Sequence, residues 1–296
     1  MNNKTAVTAE EVTRLKGLGF LRDKTTEDCF NARIITGNGM LSADKMKVIA
    51  KAAELYGNSN VCMTTRLTIE VQKIPYKNVD AFISFLAENG LEPGGTGPKV
   101  RPVVSCKGTT CQYGLIDTYA LSEEIHEKFY KGYHDVKLPH KFKIAVGGCP
   151  NNCVKPELND LGIIGQKVPT VDIEKCRGCK VCQVEQACPI KIAHVVNGKI
   201  NINDSECNHC GRCDGKCPFG AVSDYKYGYR IYIGGRWGKK TAQAKPLSKV
   251  FTDKEEVLNT IDKVINYFKD NGKAGERFAD TINRIGFENI EKSIIG

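Results

Sequence analysis

Two compact cysteine runs decide how this chain can fold: CRGCKVCQVEQACP at residues 176–189 and CNHCGRCDGKCP at residues 207–218. Each run holds four cysteines and has a proline directly after the fourth. A third, split set consists of SCKGTTC at residues 105–111 and GGCPNNC at residues 147–153. Twelve of the fourteen cysteines thus fall into three sets of four, which predicts three metal clusters.

The second run has the C-x2-C-x2-C-x3-C-P spacing of bacterial two-cluster ferredoxins, whereas the first run has five residues before its last cysteine. In ferredoxins of this type the fourth cysteine of each run binds the other cluster. The resemblance therefore implies two 4Fe-4S clusters, one on Cys176, Cys179, Cys182 and Cys217, the other on Cys207, Cys210, Cys213 and Cys188. A zinc ribbon is the alternative, but it needs only four ligands and no repeated proline.

Composition narrows the class of protein. A chain of 296 residues is long enough for two or three domains. The first residues lack the apolar core of a signal peptide, and no apolar run is long enough to span a bilayer, so we expect no membrane span and a cytoplasmic location. In that compartment clustered cysteines bind metal more often than they form disulfides. The net charge of +9 indicates an anionic partner, but no block of Lys or Arg favours nucleic acid.

The segment before residue 98 has the pattern of a small α+β unit. Thr8 and Ser42 are candidate helix N-caps, and residues 31–38 and 61–74 are strand-like. A further helix is expected after Pro75. This alternation of strands and helices predicts a ferredoxin-like half domain over residues 1–97.

The remainder divides into an α/β domain and an insert. Expected strands at 99–106 and 141–148 lead into the split cysteine pairs, with a helix at 113–130 between them and a third strand at 161–166. Residues 169–223 are cysteine-rich and poor in large apolar side chains, so bound clusters must stabilise them. After this insert, the strands and helices of the α/β domain are expected to continue with a strand at 227–235, a helix capped by Thr252 and a last helix at 275–293. The predicted fold class is α+β: a half domain at 1–97, a cluster-binding α/β domain at 98–168 and 224–296, and a two-cluster ferredoxin domain inserted at 169–223.

Alone, the split set fits a zinc site, one iron-sulfur cluster or scattered core cysteines. Its context, TTR at 64–66, VRPVVSCKGTTC at 100–111 and LPHKFKIAVGGCPNNC at 138–153, resembles the sulfite and nitrite reductase family that couples sirohaem to a 4Fe-4S cluster. The resemblance implies that Cys106, Cys111, Cys149 and Cys153 hold this cluster. It also implies that Cys153 is the axial thiolate shared with sirohaem. The ferredoxin insert makes the chain similar to anaerobic sulfite reductase C subunits and dissimilatory relatives.

The same resemblance implies a substrate anion site made of Arg66, Arg101, Lys141 and Lys143. An Arg fork can bind two oxyanion oxygens, and a Lys supplies a compact charge and transferable protons. Lys141 and Lys143 alternate around Phe142, so on a strand both would point to one face. Further contacts to the sirohaem carboxylates are expected from Lys107, Arg33, Arg236 and Lys239.

Several other candidates receive no cofactor role. Cys29 and Cys62 stand outside the three sets and are expected to be small buried apolar residues. Asn151 and Asn152 are expected to shape the turn between two cysteines. The five histidines show no ligand spacing.

The function implied by the resemblance is sirohaem-dependent reduction of sulfite to sulfide, with electrons delivered through the ferredoxin-type clusters. Nitrite reduction to ammonia at the same site is one alternative, and an electron-carrier subunit without turnover is another. We expect an electron-donor protein or flavin or iron-sulfur subunits as partners. Because larger family members contain two such halves, the chain is also expected to form a homodimer or to pair with a homologous subunit.

Overall fold

The computed structural model describes residues 7–296, and its mixture of helices and sheets confirms the α+β class. The helices are α1 Ala9–Gly17, α2 Ala43–Tyr56, α3 Val79–Glu88, α4 Thr118–Ile125, α5 Gln183–Ala187, α6 Lys254–Asn271, α7 Phe278–Ile285 and α8 Phe287–Ile295. The strands are β1 Phe20–Arg22, β2 Cys29–Ile34, β3 Val61–Met63, β4 Ile69–Pro75, β5 Val104–Ser105, β6 Ile144–Gly147, β7 Leu161–Val171, β8 Ala193–Val196, β9 Lys199–Ile202, β10 Val222–Ile233 and β11 Lys245–Phe251. Within residues 7–296, no helix is both long and apolar enough to cross a bilayer.

The chain divides into two compact units. The first comprises the described residues up to Ser105 together with residues 122–144 and 264–287. The second comprises residues 106–121, 145–263 and 288–296. This division differs from the three predicted domains, whose boundaries remain a prediction.

The first sheet has four antiparallel strands in the order β1-β2-β4-β3. Its helices begin where expected, because the Thr8 hydroxyl accepts a hydrogen bond from the backbone N–H of Glu11 and the Ser42 hydroxyl accepts one from Lys45. The sheet and helices enclose a core in which the rings of Phe20 and Phe82 meet edge to face, 5.9 Å apart.

The predicted strand at 61–74 is wrong in one respect that affects the site, since it is a hairpin of β3 and β4. The hydroxyls of Thr64 and Thr68 hydrogen-bond across the turn at 2.7 Å, and Leu67 has a φ of 57°. Short hydroxyl side chains stabilise such turns by replacing backbone partners. Arg66 therefore lies in the turn of a hairpin and not inside a strand.

The second sheet has the strand order β11-β10-β7-β6-β5. Strands β7 and β10 pair antiparallel from Val171 opposite Val222 to Leu161 opposite Ile233. Residues 172–221 consequently leave and rejoin the sheet at the same end of two neighbouring strands. Strand β11 was not predicted, because its burial does not alternate from residue to residue.

Other segment boundaries also differ from the expectation. Strand β5 is only two residues long, and Pro102 precedes it, where a missing N–H prevents sheet pairing. The helix predicted at 113–130 begins at Thr118 and continues as the π-helical stretch His126–Lys131. The helix predicted at 275–293 is two helices that break at Gly286, which has a φ of 97°. Asp253, not Thr252, caps α6, since its carboxylate accepts from Glu255 and Glu256.

The cysteine-rich segment has a very small core of its own, made of Val184, Ala193, Ile200 and Val222. Burying four such side chains contributes about 1.5–3 kcal/mol each at most. Ordering the backbone costs about 1–2 kcal/mol for every residue in the segment, so apolar burial alone cannot hold it folded. Partly buried cysteines surround this core, which favours the prediction that bound clusters stabilise the segment.

Candidate functional site

The two halves of the split cysteine set meet through backbone contacts in the second unit. The backbone N–H of Cys106 donates to the carbonyl of Val146 at 3.1 Å, and the N–H of Gly148 donates to Cys106 Sγ at 3.1 Å. A Cβ added at Gly148 would lie 2.8 Å from the Cα of Gly108. The loop after Cys106 and the loop before Cys149 thus approach more closely than any side chain would allow, and this contact places the two pairs of cysteines side by side.

Replacing Gly148 by alanine is expected to push these loops apart. The added methyl would overlap the backbone at Gly108, so we expect a loss of about 1–3 kcal/mol in the free energy of unfolding. Iron bound by the split set should be lost as well. Thermal unfolding and iron content measure both effects. Gly17→Ala is the matched control, since nothing lies within 4 Å of the added methyl. If the Gly148→Ala protein were as stable and as rich in iron as this control, the contact between Gly108 and Gly148 would not be what holds the two loops together.

The second pair of the split set lies on a tight turn. The N–H of Asn152 donates to the carbonyl of Cys149 at 3.3 Å, and its side-chain amide donates to Glu157 at 2.7 Å. Asn152 has a φ of 60°, a conformation that Asn tolerates better than most residues. Burial raises the pKa of Cys149, whereas the Cys153 side chain is exposed. Asn152 therefore shapes the turn, as expected, and leaves Cys153 open to a further group.

Two cavities in the cysteine-rich segment are lined by the cysteine sets that the ferredoxin spacing implies. The first is lined by Cys176, Cys179, Cys182 and Cys217. The second is lined by Cys207, Cys210, Cys213 and Cys188. In each cavity the fourth cysteine comes from the other run. That these thiols hold 4Fe-4S clusters stays a prediction.

All fourteen cysteines are free thiols. Within residues 7–296, no three His, Cys, Asp or Glu side chains lie close enough to hold a single metal ion.

Backbone N–H groups point at the sulfur atoms of these sets. Ile200 donates to Cys176 Sγ at 3.3 Å, and Ala221 donates to Cys217 Sγ at 3.3 Å. Such bonds stabilise negative charge on sulfur and raise the reduction potential of a bound cluster. The N–H of Gly178 lowers the pKa of Cys176, whereas burial raises the pKa of Cys207 to about 11. Cys207 becomes a thiolate at neutral pH only when a bound cation compensates for its burial.

The four predicted anion-binding residues lie on adjoining segments of the first unit. The guanidinium of Arg66 donates to the carbonyl of Pro102 at 2.6 Å and to that of Ile144 at 3.2 Å. The backbone N–H of Arg101 donates to the carbonyl of Phe142 at 2.8 Å, and its guanidinium donates to the carbonyl of Gly95. The structure therefore brings together the hairpin turn that carries Arg66 and the segments that carry Arg101, Lys141 and Lys143.

Lys141 and Lys143 were expected on a strand, but β6 begins only at Ile144. Both side chains are half-buried on either side of Phe142, which is fully buried. An isolated parallel bridge between Val100 and Phe142 keeps this stretch extended. The alternation around Phe142 therefore persists without a regular strand.

Sequence reasoning missed Arg277, which adds to this group of cations, and the imidazole of His140 beside them. Burial and the positive charges of Arg277, Lys141 and Arg101 lower the pKa of His140. Its Nδ1 accepts a hydrogen bond from the N–H of Lys141 at 2.7 Å. Burial is the larger cause of this lowered pKa, and the three positive charges near the ring add to it. Adjacency to the KFK motif was the only sequence signal.

The four residues expected to contact the sirohaem carboxylates do not share one environment. Arg33 forms an ion pair with Glu70 at 3.3 Å. Lys107 and Lys239 are exposed, and Arg236 forms an isolated antiparallel bridge with Ala242. The roles of these four residues remain predictions.

The two cysteines outside the three sets differ in exposure. Cys29 is buried, as expected, but Cys62 is exposed, so that prediction was wrong. The reason is that Cys62 lies on the edge strand β3, all three residues of which are exposed.

One histidine of the second cysteine run is buried. His209 is 1% exposed; its Nδ1 lies 3.1 Å from the side-chain oxygen of Gln166 and its Nε2 lies 2.9 Å from Asp204. Both ring nitrogens thus have polar partners within the protein, which fits the expectation that it is not a ligand.

Comparison with known proteins places these features in a family. The model described as "Nitrite and sulphite reductase 4Fe-4S domain" matches residues 96–295, and "Nitrite/Sulfite reductase ferredoxin-like half domain" matches residues 22–89. The chain is 33% identical over 255 residues to a coenzyme F420-dependent sulfite reductase of Methanocaldococcus jannaschii, a match that covers 84% of this chain and 39% of that protein. It is 28% identical over 251 residues to the anaerobic sulfite reductase C subunit of Salmonella typhimurium, and this match covers 78% of this chain and 72% of the relative.

A crystal structure of dissimilatory sulfite reductase I matches with a TM-score of 0.71 and 19% identity over 90% of this chain and 69% of that one, a likeness that shows the fold. The half-domain architecture and the family resemblance inferred from the cysteine motifs are thereby confirmed. The chain belongs to the nitrite and sulfite reductase family.

Proposed function

We propose that this chain reduces sulfite to sulfide at a sirohaem coupled to a 4Fe-4S cluster, with electrons delivered through two ferredoxin-type 4Fe-4S clusters. The observation that carries the proposal is the arrangement of twelve cysteines in three groups of four. Two groups line cavities, and the close approach of Gly108 and Gly148, which brings the two loops of the split set together, supports the third. A cytoplasmic location is part of the proposal, since clustered cysteines bind metal there more often than they form disulfides.

In this proposal Cys106, Cys111, Cys149 and Cys153 hold the catalytic cluster, and Cys153 is the thiolate shared with sirohaem. The exposure of Cys153 supports that assignment, because a shared ligand must reach a second group. The cysteines around the two cavities hold the ferredoxin-type clusters. Sirohaem, when bound, supplies the iron at which the sulfur–oxygen bonds are broken. The protein supplies binding, orientation and electrostatics.

The chain's cations bind the substrate and supply protons. Arg66, Arg101, Lys141 and Lys143 provide the fixed positive charge that an oxyanion needs, and each bond to such an anion is charge-assisted. The two lysines also carry transferable protons, which the released oxygens require. Burial is the main cause of the lowered pKa of His140, and the charges of Arg277, Lys141 and Arg101 add to it, which supports a shared positive field at these side chains.

Nitrite reduction to ammonia is the second candidate, because the matched family covers both oxyanions and the same cations suit either. An electron carrier without turnover is less well supported. A carrier has no need of an anion site, whereas this chain gathers four predicted anion-binding residues on adjoining segments.

Partners are part of the proposal. The chain spans 39% of the length of the coenzyme F420-dependent relative, so that protein contains further sequence with no counterpart here. We propose that the chain pairs with a second copy or with a homologous subunit, and that a separate donor protein or a flavin or iron-sulfur subunit supplies electrons. Sedimentation of the anaerobic protein tests the pairing, and a strictly monomeric active enzyme would refute it.

Turnover of sulfite and nitrite by the anaerobically reconstituted protein, measured with one artificial electron donor, tests the substrate. We expect sulfide from sulfite at a higher kcat/KM than ammonia from nitrite. A large preference for nitrite would show that nitrite, and not sulfite, is the substrate. If the protein turned over neither anion, the result would favour an electron carrier.

A further inference from the structure

Lys167, on strand β7, is a largely buried cation in the second unit. Its side chain is only 13% exposed, and its ammonium lies 4.7 Å from the ring centroid of Tyr225 and 5.2 Å from that of Tyr227. It forms an ion pair with Asp214, and its backbone N–H donates to the carbonyl of His209 at 2.8 Å. Lys167 thus contacts the second cysteine run on both sides of Cys210.

The same lysine lines a cavity at which two cysteine sets approach each other. Cys149 of the split set and Cys210 of the second run both line this cavity. On another side of it, the Arg212 guanidinium carbon lies 4.4 Å from the ring centroid of Tyr113. No lining residue belongs to the first cysteine run. The cavity therefore lies between the second run and the split set.

We propose that Lys167 is a positioning residue for electron transfer between the ferredoxin-type cluster on Cys188, Cys207, Cys210 and Cys213 and the catalytic cluster on the split set. This inference rests on the proposed function. In the step, one electron leaves the ferredoxin-type cluster, which is oxidised, and enters the catalytic cluster, which is reduced; no bond forms or breaks. Lys167 raises the reduction potential of the clusters that it faces.

The physical reason is electrostatic. A 4Fe-4S cluster with thiolate ligands gains negative charge on reduction, and nearby charge and solvent exposure set its potential. A buried cation acts through a lower dielectric than a surface cation does, so it stabilises the reduced state more strongly. Asp214 opposes this effect, but its side chain is 47% exposed and is therefore screened more by water. The net influence of the pair is positive.

The contacts of the lysine stem indicate a substitution that removes the charge and keeps the shape. A Cβ added at Gly211 would lie 2.5 Å from Cδ of Lys167, so the turn of the second run packs directly on this stem. Methionine retains an unbranched apolar chain of similar length. Lys167→Met therefore removes the cation with little change in packing, whereas Lys167→Arg keeps the charge.

Potentiometric titration of the anaerobic holoprotein, followed by electron paramagnetic resonance, tests the proposal. We expect Lys167→Met to lower the midpoint potential of at least one cluster, Asp214→Asn to raise it, and Lys167→Arg to stay near the wild type. Lys249→Met is the matched control, because Lys249 pairs with Glu256 and lies 5.5 Å from the ring of Phe251 but lines none of the three cysteine-lined cavities.

The outcomes separate the inference from the proposed function. Unchanged midpoints in both Lys167→Met and Asp214→Asn, or shifts in the same direction, would overturn the role of Lys167 while the clusters remain. A wild-type protein without cluster signals would overturn the proposed function together with the inference. If Lys167→Met fails to load its clusters, Asp214→Asn still decides the matter: a raised midpoint supports the proposal and an unchanged one overturns it.

Discussion

Replacing Lys141 and Lys143 together by alanine is expected to lower sulfite turnover about 100-fold or more, by analogy with the loss of a single charge-stabilising donor in other enzymes. Both lysines flank the buried Phe142, and under the proposed function they hold the anion and supply its protons. Iron content and the visible spectrum should stay unchanged, because neither side chain belongs to a cysteine set. Steady-state kinetics with an artificial donor measure the loss.

Lys137→Ala is the matched control for this pair. Lys137 is exposed and lies a few residues before Lys141 on the same segment, and its loss should leave turnover unchanged. Full activity in the double variant would remove Lys141 and Lys143 from the anion site and would favour a site elsewhere in the chain.

Replacing Cys153 by serine is expected to abolish turnover and to remove the absorption of bound sirohaem. Cys153 is the exposed member of the split set, and a serine oxygen is a poorer iron ligand than a thiolate. The ferredoxin-type clusters should persist, because their cysteines line separate cavities. Absorption, iron and acid-labile sulfide measured on the same sample distinguish the loss of sirohaem from a loss of the ferredoxin-type clusters.

Cys62→Ser is the control for this substitution, since Cys62 is exposed and belongs to none of the three sets. It should retain full pigment and activity. If Cys153→Ser kept wild-type pigment and turnover, the shared thiolate would have to be a different residue.

The two ferredoxin-type cysteine sets depend on short sequence spacings, and their role as cluster ligands stays a prediction. Within each run the ligands are separated by two to five residues, so local geometry restricts which thiols can meet, and the cavities are lined by the sets that the ferredoxin pattern implies. The helices that start at Ser42 and Thr8 were predictable for the same reason, since their caps are local hydrogen bonds.

What the sequence did not reveal depends on contacts between distant segments. The hairpin turn at Arg66 interrupts a stretch whose residue pattern is that of one continuous strand, and only the structure shows this guanidinium on the carbonyls of Pro102 and Ile144. His140 carries no ligand spacing, and its lowered pKa depends on its burial and on the charge of Arg277, which is far along the chain. Cys62 was expected to be buried, but burial depends on strand order, which places β3 at an edge.

One measurement tests the central claim most directly: the absorption spectrum of the anaerobically purified protein, with iron, acid-labile sulfide and extracted pigment assayed on the same sample. The account predicts sirohaem together with iron and sulfide sufficient for a 4Fe-4S cluster on each of the three cysteine sets. Clusters without pigment, in protein that still fails to take up added sirohaem, would contradict the claim that this chain is the catalytic reductase and would leave it an electron carrier.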